Sequence, residues 1–190
     1  INQQLALAWV QKDSKIPTKL DEQYYCETRD IFQARLDRFT NELLREKKTQ
    51  EDQIYLVSAI AGEIGNNSFD HNLGNWPDTP GIFFAYDVSG SSRRIILADR
   101  GQGILSTLKK VRPTLKNDIQ ALETAFKEKL SGRAPENRGN GLKFVRQSVE
   151  DQHLHLSFMS GFGKAELNYQ MIVEKMDTEI QGCLAILMFL

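Results

Sequence analysis

The apolar positions of this chain fall first into helical spacings and later into strand-like runs. Phe32, Leu36, Phe39 and Leu43 recur at intervals of four, three and four with charged residues between them. That is the period of a helix with one apolar face, and it predicts a helix over residues 24–48. A polar break at 47–52 leads to a second periodic segment, Ile54, Val57, Ile60, Ala61 and Ile64, rich in helix formers and running to about His71. Residues 72–81 carry two prolines and two glycines and are predicted to form a loop.

Residues 81–88 and 93–98 are short β-branched, aromatic and aliphatic runs on either side of Ser89-Gly90-Ser91-Ser92, the pattern of a β-hairpin. Residues 101–138 mix a basic stretch (Lys109, Lys110, Arg112, Lys116) with an amphipathic helix carrying Ile119, Leu122, Phe126 and Leu130, and are expected to be a long mobile excursion. A further helix is predicted over 141–150, followed by three strands at 153–159, 166–173 and 182–190.

A length of 190 residues with 41% hydrophobic content suits one domain with a buried core and a short appended segment. The formal net charge of −1 offers no overall attraction to nucleic-acid backbone or to an anionic membrane, and neither is expected as a partner. Cys26 and Cys183 lie far apart without metal-ligand spacing and are read as reduced thiols of a cytoplasmic protein. The longest apolar run, 183–190, is far below the roughly 20 residues of a membrane-spanning helix. A chain that begins at Ile1 reads as a processed or trimmed piece of a longer one.

Three stretches carry candidate chemistry. In Glu63-Ile64-Gly65-Asn66-Asn67-Ser68-Phe69-Asp70-His71, Glu63 and Asn67 stand at i and i+4 and project from one helix face beside Asp70 and His71. A carboxylate and a carboxamide so placed can hold Mg²⁺ or activate a water, and the same spacing also suits a solvated helix face. In Ile95-Ile96-Leu97-Ala98-Asp99-Arg100-Gly101-Gln102-Gly103, an apolar strand delivers an aspartate into D-x-G-x-G. An acceptor carboxylate followed by glycines suits a planar donor such as an adenine amino group, and equally a turn in which Asp99 bonds its own backbone. In Arg138-Gly139-Asn140-Gly141-Leu142, a glycine-rich turn opens a helix whose free N–H groups can meet phosphate. Neither a Walker pattern nor a dinucleotide-type G-x-G-x-x-G occurs. His153 and His155 alternate on one strand face and are read as packing or surface residues.

Taken together, E-x-x-x-N, D-x-G-x-G and G-x-G-L in this order, followed by strands, resemble the GHKL ATP-binding superfamily of gyrases, mismatch-repair ATPases, chaperones, histidine kinases and anti-sigma serine kinases. The resemblance covers 51–190. It implies a Bergerat-type α/β two-layer sandwich with a mixed, mostly antiparallel sheet and helices on one face, preceded by a helical segment over 1–50 packed on the domain or on a sister subunit.

The resemblance further implies ATP and Mg²⁺ as ligands. Glu63 would activate the attacking group, and Asn67 would be the Mg²⁺ ligand, with Asp70 beside it. Asp99 would hold the adenine amino group, with Gly101 and Gly103 shaping that wall. Arg138, Gly139, Gly141 and Leu142 would line the phosphates under a lid at about 104–138. Two positions depart from the family: the glycine box reads G-N-G-L where G-L-G-L is common, and Gly182-Cys183 stands where a G-T pair is common.

The implied activity is phosphoryl transfer to water or to a serine of a partner protein. The alternatives are a non-catalytic ATP-gated interaction module, or the catalytic domain of a histidine kinase whose phosphoacceptor lies in another chain or domain. The only histidines are His71, His153 and His155, so 1–70 carries no phosphoacceptor histidine. Histidine kinases resembling this fold commonly have asparagine at the position of Glu63, which leans the reading towards a serine kinase or a hydrolase.

Overall fold

A computed structural model describes residues 2–11, 20–89, 93–128 and 141–189. Helix α1 (Asn2–Val10) comes first, followed by the two-residue strand β1 (Tyr25–Cys26) and helix α2 (Arg29–Glu46). The Thr28 side chain caps α2 by accepting the Ile31 N–H at 3.4 Å, and Lys47 ends it in the left-handed conformation with φ 54°. The predicted stripe Phe32, Leu36, Phe39 and Leu43 is the buried face of α2. Helix α3 (Glu51–Asn72) buries Ile54, Val57, Ile60, Ala61 and Ile64 against it. Gly65 lets the two helices close up, because a Cβ there would run into the Phe32 ring.

The predicted hairpin is present as β2 (Ile82–Asp87) and β3 (Arg93–Asp99). After α4 (Gly103–Lys109), α5 (Asp118–Lys127) and α6 (Gly141–Asp151), the chain closes in two long strands, β4 (His155–Leu167) and β5 (Met171–Phe189). The sheet order is β1-β2-β3-β5-β4, and every pairing among the described residues is antiparallel.

The three expected closing strands are therefore two. The stretch expected as a middle strand, 166–173, straddles the turn Asn168-Tyr169-Gln170, where the chain reverses from β4 into β5. Irregular register at Gly161 and Gly163 lets one long strand bend where the sequence suggested a break.

The architecture is a two-layer α/β sandwich, with the helices on one face as expected except α1, which lies on the other. Ile82, Phe84, Ile95, Leu97, Ala185 and Leu187 face the layer formed by α2, α3, α5 and α6. The alternating residues Phe83, Ala85, Ile96, Ala98, Leu184 and Ile186 face the other way, and there α1 covers them with Ala6, Trp9 and Val10. The stretch Leu5-Ala6-Leu7-Ala8-Trp9-Val10 is apolar nearly all round, so no stripe marked it as a helix with a definite partner face.

The segment expected as a lid is structured over its described residues, 104–128. Leu122 and Phe126 of α5 are fully buried in the main core, and the Phe126 ring meets Phe158 edge-on with centroids 5.3 Å apart. A covering flap made of α5 would have to withdraw both side chains from the core, so α5 belongs to the body of the domain. Leu130, Arg138 and Gly139 lie outside the described residues. Both cysteines are free. Among the described residues no helix is long and apolar enough to cross a membrane.

Candidate functional site

Helix α3 is where the chemistry-bearing stretches meet. Along its length the buried stripe continues past Ile64 into two polar residues at the same spacing, Ser68 and Asn72. Both turn towards the end of β3. Ser68 Oγ donates to Asp99 Oδ2 at 2.7 Å, and Asn72 Oδ1 accepts the Gln102 N–H at 2.8 Å. The stripe that packs the upper half of α3 thus becomes, in its lower half, a row of hydrogen bonds to the D-x-G-x-G turn.

Asp99 ends β3 and is only 2% exposed. Its Oδ1 accepts the Gly101 N–H at 2.8 Å, so the local turn bond occurs together with the link to Ser68. Burial pushes its pKa up to about 6, and hydrogen bonds from Ser68, from the Gly101 N–H and from the Cys183 backbone hold it from rising further. The two carboxylate oxygens have four lone pairs between them, and the bonds from Ser68, Gly101 and the Cys183 backbone take three, which leaves one to accept.

The glycines around Asp99 are places where a side chain has no room. A Cβ on Gly101 would overlap the Asn72 carboxamide, and one on Gly182, at φ +73°, would overlap the Asp99 carbonyl. Gly103, at φ +75°, opens α4 beside Ser160, whose Oγ accepts the Ile104 N–H at 3.0 Å and donates to the Gly182 carbonyl at 2.9 Å. Cys183, beside Asp99 on β5, has its thiol pushed well up by burial and by the Asp99 charge.

Glu63 and Asn67 look towards the start of α6. The point that a Cβ on Gly141 would occupy lies 2.6 Å from Glu63 Oε2 and 3.2 Å from Asn67 Nδ2. The glycine therefore brings the opening backbone of α6 against both side chains. Glu63 is exposed and Asn67 half-buried. Leu142 follows, half-buried against the main core.

Asp70 is engaged differently from its neighbours: its Oδ1 pairs with the Arg29 guanidinium of α2. Next to it, His71 has its pKa lowered by burial and by Lys110. Arg138 and Gly139, expected at the phosphates, lie outside the described residues.

Arg100 projects away from this site. Its fully buried guanidinium bonds Asp78 at 2.6 and 2.9 Å, Gln181 at 3.3 Å and the Trp9 carbonyl of α1. The other histidines are accounted for by local contacts, His155 with Glu166 at 2.9 Å and His153 against the Tyr169 ring at 4.9 Å.

Sequence reasoning overlooked Ser68, Asn72, Ser160 and Arg100. For Ser68 and Asn72 a signal existed: both occupy stripe positions of an amphipathic helix, where a polar side chain needs a buried partner. For Ser160, which meets α4 only through the fold, no local pattern marks the role. No protein-family model matches the chain, and no curated protein matches it either.

Proposed function

We propose that the chain is an ATP·Mg²⁺-binding domain of the GHKL type that transfers the terminal phosphoryl group of ATP to water or to a serine of a partner protein. The observation that carries this reading is the convergence on α3. One helix meets the D-x-G-x-G turn through Ser68 and Asn72, and the glycine-led start of α6 through Glu63 and Asn67. Three stretches distant in sequence thus meet along one helix, with the Asp99 carboxylate at one end and the start of α6 at the other.

The donor set suits Mg²⁺ held jointly with a nucleotide. Asn67 offers a hard carboxamide oxygen and Glu63 a carboxylate, and among the described residues no cluster of three acidic, histidine or cysteine ligands forms a cage. Such a site takes its remaining ligands from phosphate and water. When bound, Mg²⁺ supplies neutralisation of charge on the β- and γ-phosphates.

The protein's own residues do the rest. Asp99 accepts the adenine amino hydrogen and so orients the base. Gly101 and Gly182 keep side chains out of that wall. Asn67 stands at the phosphate end, where the first N–H groups of α6 face incoming negative charge. Glu63, exposed beside them, takes the proton from the attacking hydroxyl or water. A carboxylate in that place suits an oxygen nucleophile, which must lose a proton as it attacks.

The reading is tested by titrating the protein with ATP and MgCl₂ in a calorimeter and following labelled ATP for released phosphate. Glu63→Ala should leave affinity within a few-fold and lower turnover by roughly 10²- to 10⁴-fold. Absence of any heat or protection with ATP, while the fold is intact by circular dichroism, sinks the proposal.

A further inference from the structure

An adenine acceptor works only if its carboxylate is aimed and ionised, and a residue outside the D-x-G-x-G motif contacts that carboxylate directly. A serine hydroxyl inside a helix ordinarily donates to the carbonyl four residues earlier. For Ser68 that carbonyl, on Ile64, is 3.5 Å away, whereas Asp99 Oδ2 is at 2.7 Å. The single hydroxyl proton therefore goes to Asp99. Ser68 is itself held, since Asn72 Nδ2 donates to the Ser68 carbonyl at 2.8 Å while Asn72 Oδ1 accepts the Gln102 N–H at 2.8 Å. One buried carboxamide thus fixes the spacing between α3 and the turn that carries Asp99.

We infer that Ser68 is a positioning residue for the Asp99 acceptor, a role that rests on the nucleotide reading above. It fixes the direction of Oδ2 from the helix side while the Gly101 N–H fixes Oδ1 from the turn side.

The groups around the carboxylate leave this task to hydrogen bonds. From β5 comes the Cys183 thiol, kept neutral by its raised pKa. From β2 comes Ile82, directly opposite Asp99 in the ladder. From the turn, Arg100 directs its charge to Asp78, and Lys110 of the segment after α4 bonds Gln102 Oε1 at 2.9 Å. From α3, His71 has its pKa lowered by burial and by Lys110, and Asp70 is paired with Arg29.

The test uses the full chain and reads Asp99 directly, by ¹³C NMR titration of its carboxyl carbon, alongside ATP affinity between pH 5 and 8. In the wild type, the Asp99 midpoint is expected at about 6. Affinity should fall about tenfold per pH unit below it, because binding needs the anion. Ser68→Ala should raise both midpoints together, by about one unit for one lost hydrogen bond to the charged form, and Ser68→Thr should restore both.

A Ser68→Ala chain whose Asp99 midpoint stays put, with affinity lowered equally at every pH or not at all, overturns the inference. A shifted Asp99 midpoint in a protein that binds no ATP at any pH upholds the action of Ser68 on Asp99 and overturns the nucleotide reading instead.

Discussion

Glu63 and Gly141 meet across two helices: a Cβ on Gly141 would lie 2.6 Å from Glu63 Oε2. The atom in the way is the far end of a flexible, exposed side chain, so Gly141→Ala should leave the fold intact and move the carboxylate. Alanine is also the better helix residue by up to about 1 kcal/mol, so the unfolding midpoint should hold or rise. Turnover should nevertheless drop, by roughly 10²-fold if the displacement approaches 1 Å. Steady-state phosphate release and a denaturation curve on the same sample check this. Unchanged turnover would mean that Glu63 has no positional task.

The buried Asp99 makes stability depend on pH in a definite direction. Its folded pKa is raised from 3.8 to about 6, so the folded state prefers the neutral acid. This contribution is fully present below pH 3.8 and is lost as pH rises through 6, amounting to about 3 kcal/mol. Asp99→Asn has nothing to ionise and should lack that loss. Urea midpoints at pH 4.5 and pH 7 for both chains give the comparison, and equal pH dependence in the two would contradict it.

The same substitution has a separate effect on ligand binding. An amide in place of the carboxylate can turn a donor towards the adenine amino group, leaving two donors opposed. Calorimetry should show ATP affinity reduced by at least tenfold in Asp99→Asn, the loss of one charge-assisted hydrogen bond of about 1.5 to 3 kcal/mol. Affinity equal to the parent's removes adenine from the Asp99 site.

Helix α5 gives a test of whether the segment after the D-x-G-x-G turn is core or cover. Phe126 is fully buried and meets Phe158 edge-on. Phe126→Ala should therefore cost about 3 to 5 kcal/mol of stability. A substitution in a detached flap would leave the unfolding midpoint where it was.

Gly65 separates fold from function. Any side chain there strikes the Phe32 ring, which has no open side to move to in the packed core. Gly65→Val should destabilise by about 1 to 3 kcal/mol, the usual cost of overpacking. Nucleotide affinity, measured well below the new melting temperature, should stay within a few-fold, since Glu63 and Asn67 lie on another face of α3.

What the sequence disclosed follows from how far each signal reaches along the chain. The α2 and α3 stripes and the β2–β3 hairpin rest on neighbours a few residues apart, and they appear where the spacing put them. The closing strands were cut wrongly because Asn168-Tyr169-Gln170 is a weak turn signal lying inside a run rich in strand formers. Helix α1 falls within the helical segment expected over 1–50, but Leu5 to Val10 is apolar without a stripe, so neither its bounds nor its buried face was legible. Within the site, Glu63, Asn67, Asp99 and Gly141 could be named from motif spacing alone. Ser68 and Asn72 stand at stripe positions that call for a buried partner, but spacing within α3 does not say which partner, and Asp70 was assigned to the site without sight of Arg29.

Asp99 and Arg100 are consecutive, yet one is bound to α3 on the helical face and the other to α1 on the opposite face. The motif-bearing stretch that begins at Glu51 is therefore not a self-sufficient unit. A chain shortened to start there would lose Phe32, Leu36, Phe39 and Leu43 from one core and Ala6, Trp9 and Val10 from the other. It would bare Phe83, Ile96, Leu184 and Ile186 to solvent as one sticky patch and take the Trp9 carbonyl from a buried guanidinium. Self-association at micromolar concentration is the expected fate of such a fragment, and any attempt to isolate the candidate site by trimming has to keep the residues from α1 onward.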